Sequence, residues 1–224
     1  MNTKQIAQYI DHTALTAEKT EQDILKLCDE AVRNHFYSVC INPCHIPLAK
    51  EKLKDTEVKI CTVVGFPLGA NATAVKAFET QQAIIDGADE IDMVINIGWI
   101  KSGRWQAVRE DIAAVLKACN GTPLKVILET CLLSKEEIIK ACEICRHLHV
   151  AFVKTSTGFN KGGATVEDVR LMKQTVGADV GVKASGGIRD TKTALAMIEA
   201  GATRIGASAG IAIIHGLADI DSAY

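Results

Sequence analysis

The sequence predicts a single (β/α)8 barrel spanning residues 1–224, and three observations carry that expectation. Eight short runs rich in β-branched residues alternate with longer stretches of helical periodicity. The runs are apolar on both parities, as in Val63-Val64 and Met93-Val94-Ile95. Strands of that kind are buried on both faces, in a parallel sheet covered by helices. The chain has 224 residues, and eight βα units of about 28 residues fit a closed barrel, which usually occupies about 200–250. The alternative is an open doubly wound sheet, but no G-x-G-x-x-G follows the first run.

The elements are expected in this order. The strand Tyr9–His12 leads to a helix over Glu21–Asn34. Tyr37–Ile41 and Lys59–Gly65 are the second and third strands, and a helix over Ala72–Gly87 follows. The fourth strand, Glu90–Ile95, precedes a helix over Trp105–Cys119. The fifth, Leu124–Glu129, precedes one over Lys135–His147, where Ser134 and Glu137 have capping-box spacing. The sixth, Ala151–Thr155, precedes Val166–Val176, with Thr165 as its cap. The seventh, Val180–Ala184, precedes Thr191–Ala200, opened by Asp190 and closed by Gly201. The eighth, Thr203–Ala207, runs into a helix over Ala207–Ile214. No linker or low-complexity segment interrupts the series.

Composition narrows the function. Hydrophobic residues make up 48% and charged residues 23%, with a formal net charge of -2 and only five Phe and three Tyr. That offers neither the basic surface nor the stacking residues that nucleic acid requires. No apolar run approaches the ~20 residues that span a bilayer, and Met1–Tyr9 is too polar for a signal peptide. A cytoplasmic protein is expected. The eight cysteines read as reduced thiols. Cys28, Cys40, Cys61, Cys119 and Cys131 all sit in apolar patterns. The lone CxxC, Cys142 to Cys145, has no second pair with which to complete a zinc site. The six histidines form no metal-ligating cluster, so no metal is expected.

In a barrel, chemistry sits at the carboxyl ends of the strands. The polar residues there are Asp11-His12-Thr13, Asn42, Asp92, Glu129-Thr130, Lys154, Lys183 and Ser208. Lys154 and Lys183 stand on successive strands. A buried ammonium is costly, and one lysine alone can be paired for stability with Asp92 or Glu129. Two at equivalent strand ends point instead to chemistry. Like charges repel, so one amine is pushed toward its neutral, nucleophilic form. A neutral lysine attacks carbonyls, and the resulting iminium draws electrons from a breaking carbon–carbon bond. Such a reaction needs no cofactor. Gly186-Gly187-Ile188-Arg189 and Gly206-Ala207-Ser208 follow the last two strands and lead into helices, where barrels often bind phosphate.

These residues closely resemble the deoxyribose-phosphate aldolases. The shared segments include Tyr-Ile-Asp11-His-Thr, Ser-Val-Cys40-Ile-Asn-Pro, Val-Val-Gly65-Phe-Pro, Asp89-Glu-Ile-Asp92-Met-Val and Lys125-Val-Ile-Leu-Glu129-Thr. They continue with Phe-Val-Lys154-Thr-Ser-Thr-Gly158, Val-Lys183-Ala-Ser-Gly186-Gly187-Ile-Arg and Arg204-Ile-Gly206-Ala-Ser208. They run from the first strand to the last. The resemblance implies a homodimeric or homotetrameric (β/α)8 barrel acting on a phosphosugar in deoxynucleoside breakdown. It makes Lys154 the Schiff-base lysine and Lys183 its pKa-lowering neighbour. Asp92 becomes the proton relay, and Asp11 a support for the lysines. Gly158, Gly186, Gly187, Gly206 and Ser208 line the phosphate pocket, and a terminal Tyr224 helps protonate the enamine. Lys161 either reaches the phosphate or faces solvent. Ala209 stands where some relatives carry a second serine. Cys40, near the mouth of the second strand, is expected to be sensitive to aldehyde products. Three rivals stay open: a different Schiff-base aldolase, an isomerase using a Glu/His pair, for which Glu129 is a candidate and His12 is the one histidine at a strand end, and a catalytically silent phosphosugar-binding barrel.

Overall fold

The computed structural model describes residues 2–221. Eight parallel strands close into a barrel in chain order. They are β1 (Ile10–Ala14), β2 (Ser38–Ile41), β3 (Lys59–Val64), β4 (Glu90–Val94), β5 (Leu124–Ile127), β6 (Phe152–Lys154), β7 (Gly181–Ser185) and β8 (Arg204–Ala207). Every expected strand is present, with ends shifted by at most two residues, and β1 pairs with β8 to complete the ring.

The helices are α1 (Thr3–Ala7), α2 (Glu21–Arg33), α3 (Ile46–Leu53), α4 (Thr73–Asp86), α5 (Ile97–Lys101), α6 (Trp105–Cys119), α7 (Lys135–His147), α8 (Val166–Val176), α9 (Thr191–Glu199) and α10 (Gly210–Asp221). The local chemistry explains their ends. Ser134 and Glu137 form the expected capping box on α7, and Thr20 and Asp23 form another on α2. Thr165 and Asp190 accept backbone N–H groups three residues on. The last helix starts at Gly210 rather than Ala207, because β8 holds Ala207 in the sheet.

Two layers make the interior. The outer layer, between sheet and helices, is apolar and continuous. The inside of the barrel is different. Leu15, Cys40, Cys61 and Val63 form a small apolar cluster there, capped by Phe66. Beneath and beside it lie buried charges. The expectation of strands apolar on both parities therefore holds only in part. On β4, Glu90 and Asp92 point into the barrel and bond to groups on other strands, while Ile91 and Met93 join the outer core.

Cys131 is a second correction. It is exposed, because β5 stops at Ile127 and Cys131 falls in a short 3-10 turn, Thr130–Leu132. Cys142 and Cys145 are buried on α7 as free thiols.

Candidate active site

Strand register brings the charged residues together. Lys154 of β6 is level with Lys183 of β7, which is level with Arg204 of β8. Asp92 of β4 is level with Lys125 of β5. A (β/α)8 barrel points alternate residues of each strand inward, so these side chains converge within the ring.

Asp92 is the hub. Its Oδ2 accepts from Lys154 Nζ at 2.9 Å and from Lys183 Nζ at 2.8 Å. Its Oδ1 accepts from Lys125 Nζ at 2.8 Å and from the Cys61 thiol at 3.1 Å. The two lysines picked out in the sequence therefore do not face each other bare; they share a carboxylate. Asp11 is the second anion. It lies 2.5 Å from Lys183 Nζ and accepts from Arg204 Nη1 at 2.9 Å and Ser38 Oγ at 2.7 Å. Glu90 is the third, bridging Lys125 at 2.8 Å and Arg204 at 2.9 Å. The Arg204 guanidinium also lies over the Tyr37 ring, 3.6 Å from its centroid.

The electrostatics follow from burial opposed by pairing. Burial pushes the Asp92 carboxyl up, but Lys125, Lys154 and Lys183 together hold it well below the usual carboxylate range. Asp11 is held low in the same way, mainly by Lys183, then Lys125 and Arg204. Burial disfavours the Lys183 ammonium, yet Asp11 and Asp92 overcome it and hold it well above its ordinary value. Lys125 is raised too, with Asp92 as the chief opponent of burial. Cys40 is level with Cys61 on the neighbouring strand. The hydrogen bond from Cys61 lowers the Cys40 thiol to about 7 against the effect of burial, with help from Lys183. Burial drives Cys61 the other way.

Above the cluster opens a cavity of about 410 Å³. Among its walls are Gly158, Gly186, Gly187, Gly206, Ser208 and, at its floor, Lys154. The sequence-derived phosphate residues thus share one cavity with the sequence-derived nucleophile. Gly186 and Gly187 have φ of 87° and 79°, where a side chain would be strained. Gly206 is required by a close approach, since a Cβ there would sit 3.0 Å from Lys183 Cε. Thr157, Phe159, Ser185 and Arg189 also line the cavity. Arg189 closes the Gly186–Arg189 segment already noted; the sequence reading did not single out Thr157, Phe159 or Ser185, though all three lie within or beside the lysine and glycine motifs.

Several expectations resolve differently. Lys161 is exposed and outside the cavity wall. Tyr224 lies outside the described residues. Glu129 is buried and accepts from Thr157 and Asn160, and His12 is buried against Glu30 at 2.8 Å. Neither lines the cavity, so the Glu/His pair of an isomerase is not assembled. Lys125, Glu90 and Arg204 belong to the cluster but were missed as site residues. Their signal was a charge on the inward parity of a strand.

A closed barrel with a lysine amine at the floor of a glycine-rimmed cavity has the architecture of a lysine-dependent aldolase. A family model described as DeoC/LacD family aldolase matches residues 5–216. The deoxyribose-phosphate aldolase of Mannheimia succiniciproducens is 75% identical over 224 residues, all of both chains. Two solved structures align as well. The aldolase QR15 has a TM-score of 0.92 at 43% identity, covering 97% of this chain and 98% of that one. The tetrameric deoxyribose phosphate aldolase of Aeropyrum pernix has a TM-score of 0.91 at 30% identity, covering 98% and 93%. The chain belongs to the DeoC/LacD family of aldolases.

Proposed function

We propose that this chain reversibly cleaves 2-deoxy-D-ribose 5-phosphate to D-glyceraldehyde 3-phosphate and acetaldehyde, through an imine on Lys154. One observation carries the reading. Lys154 is bonded into the buried charge cluster and also lines the cavity, whereas Lys125 and Lys183 do not line it. Its amine is the one a substrate in that cavity meets.

Lys125, Lys154, Lys183 and Arg204 face Asp11, Glu90 and Asp92. Lys154 bonds to one of these carboxylates, Asp92. Lys183 and Lys125 each sit between two, which hold both as ammonium groups.

The amine adds to C1 of the open-chain sugar, and loss of water gives the iminium. The C3 hydroxyl proton leaves through Asp92. The C2–C3 electron pair moves into the iminium, breaking that bond. Glyceraldehyde 3-phosphate departs, and the enamine left on Lys154 takes a proton at C2. Water then adds to the iminium and releases acetaldehyde. Asp92 is a relay rather than a proton store, since the Lys125 and Lys183 ammonium groups keep it ionised. The Gly186-Gly187 and Gly206-to-Ser208 segments hold the phosphate, which supplies remote binding energy for positioning C1. Lys183 and Asp11 support the network, and Tyr224 remains the proposed proton donor to the enamine.

The direct test is an assay of purified protein with the phosphosugar, reading glyceraldehyde 3-phosphate by coupled NADH oxidation. Turnover that persists after treatment with a metal chelator is expected. Absence of cleavage overturns the assignment. Cys40 gives a further expected result. Prolonged exposure to acetaldehyde inactivates the native protein faster than Cys40→Ala. Equal rates of loss, measured by residual activity, remove Cys40 as the sensitive group.

We further infer a homo-oligomer acting in the cytoplasm. Leu68, Val75, Phe78 and Ile85 leave apolar surface exposed along and beside α4, and the Aeropyrum pernix relative is tetrameric. Among the described residues, no helix is long and apolar enough to cross a membrane.

A further inference from the structure

Glu129 is a fully buried carboxylate that the mechanism above does not use. It sits just past the end of β5 with φ 56° and ψ 61°. That is the left-handed region, strained for a residue with a side chain. Strain of this kind persists where the surroundings over-determine it. Here they do so through the side chain. Glu129 Oε1 accepts the Thr157 N–H at 3.2 Å. Its Oε2 accepts the Thr157 hydroxyl at 2.5 Å and the Asn160 amide at 2.9 Å. The Thr157 hydroxyl oxygen in turn accepts the Phe159 N–H at 3.1 Å. All three groups bonded to the carboxylate are donors, the set that an acceptor-only carboxylate satisfies.

The segment so held is a wall of the cavity. Thr157, Gly158 and Phe159 line it, whereas Glu129 does not. The same loop is fixed on its far side by β7. Ser185 Oγ donates to Ser156 O at 2.6 Å, and Ala164 N donates to Gly186 O at 3.0 Å. Glycine allows that contact, since a Cβ on Gly163 would lie 2.2 Å from Gly186 O. The loop is therefore pinned at one end to Ser185, the last residue of β7, and at the other to Gly186. Its middle, where Gly158 meets the cavity, is held by Glu129.

We propose that Glu129 is a positioning residue for substrate phosphate: it fixes the backbone of Thr157–Asn160 so that the Gly158 turn closes the phosphate side of the cavity. It touches neither the reacting carbon nor the lysines and acts through Thr157 and Asn160. The proposal deepens the phosphate reading given above and rests on it.

The test compares 2-deoxyribose 5-phosphate with unphosphorylated 2-deoxyribose in native protein, Glu129→Gln and Asn160→Ala. Gln is isosteric but turns its amide N–H groups toward donors, so it breaks the acceptor set without opening a cavity. In Glu129→Gln, kcat/KM for the phosphorylated sugar falls at least tenfold, carried mainly by KM. The value for the unphosphorylated sugar falls less than threefold, so the preference for phosphate narrows. Asn160→Ala, at an exposed position, shows the same selective rise in KM at smaller size, and it decides the matter should Glu129→Gln fail to fold. Equal losses on both sugars, or a preserved preference in both variants, overturn the positioning role. Native protein that does not prefer the phosphorylated sugar overturns the phosphate reading itself, and the positioning role with it.

Discussion

Lys154→Ala lowers kcat for cleavage of 2-deoxyribose 5-phosphate by at least about 10⁴-fold, because removing a nucleophile removes the covalent route itself. The fold survives the change. Lys154 is one of three lysines on Asp92, and its loss leaves the hub paired with Lys125 and Lys183. The remaining cluster has three cations and three carboxylates, so no uncompensated charge is left behind. The expected protein is well folded, keeps its affinity for the phosphosugar, and is inactive. Lys154→Arg separates charge from chemistry. It restores a cation to Asp92 but offers no amine that loses its proton near neutral pH, and it is equally inactive. Recovery of more than a few per cent of activity in either variant, in a steady-state assay, contradicts the role given to Lys154.

Asp92→Asn carries the second large effect, and it reaches stability as well as rate. The amide accepts at one atom where the carboxylate accepted at two, and it carries no charge. Lys125, Lys154 and Lys183 then share the hub position without an anion. Breaking a buried ion network from one side typically costs about 3–5 kcal/mol. Part of that is recovered here, because Lys183 keeps Asp11 and Lys125 keeps Glu90 as partners. A loss of about 3 kcal/mol corresponds to a fall in Tm of roughly 10 °C for a chain of this size. Catalysis drops by about 10²–10⁴-fold, the usual worth of a proton-transfer group. Asp92 and Asp11 are held below their unfolded value near 4. Their contribution to stability is therefore full above about pH 4 and drains away as the pH falls toward their folded values. Asp92→Asn removes part of that dependence, and the acid flank of its Tm-against-pH curve is shallower than that of the native protein. A parallel curve, merely displaced, contradicts the linkage.

Much of this was legible in the chain. The barrel was readable because strand and helix periods alternate eight times, and because βα turn glycines such as Gly87 and Gly201 punctuate them. The shorter helices were not. α3, at Ile46–Leu53, is eight residues long with Pro47 in its first turn, which reads as a turn followed by a charged stretch. Lys154, Lys183 and Asp92 stood out as charges inside apolar runs. Lys125, Glu90 and Arg204 did not, because each lies at or next to the start of its strand, where a charge ordinarily faces solvent. Only barrel closure shows that these positions point inward, since inward parity has no meaning until β1 meets β8. The role of Glu129 was hidden for a related reason. Its partners Thr157 and Asn160 are about thirty residues downstream, and only the adjacency of β5 and β6 joins them.

The most direct test of the account is borohydride reduction in the presence of acetaldehyde, followed by intact mass and peptide mapping. Reduction of the imine fixes the two-carbon unit to the nitrogen that formed it. A single ethyl adduct on the peptide containing Lys154, absent from Lys154→Ala, is the expected result. An adduct on Lys183 or Lys125, or none on any lysine, contradicts the assignment of Lys154 as the carbonyl nucleophile.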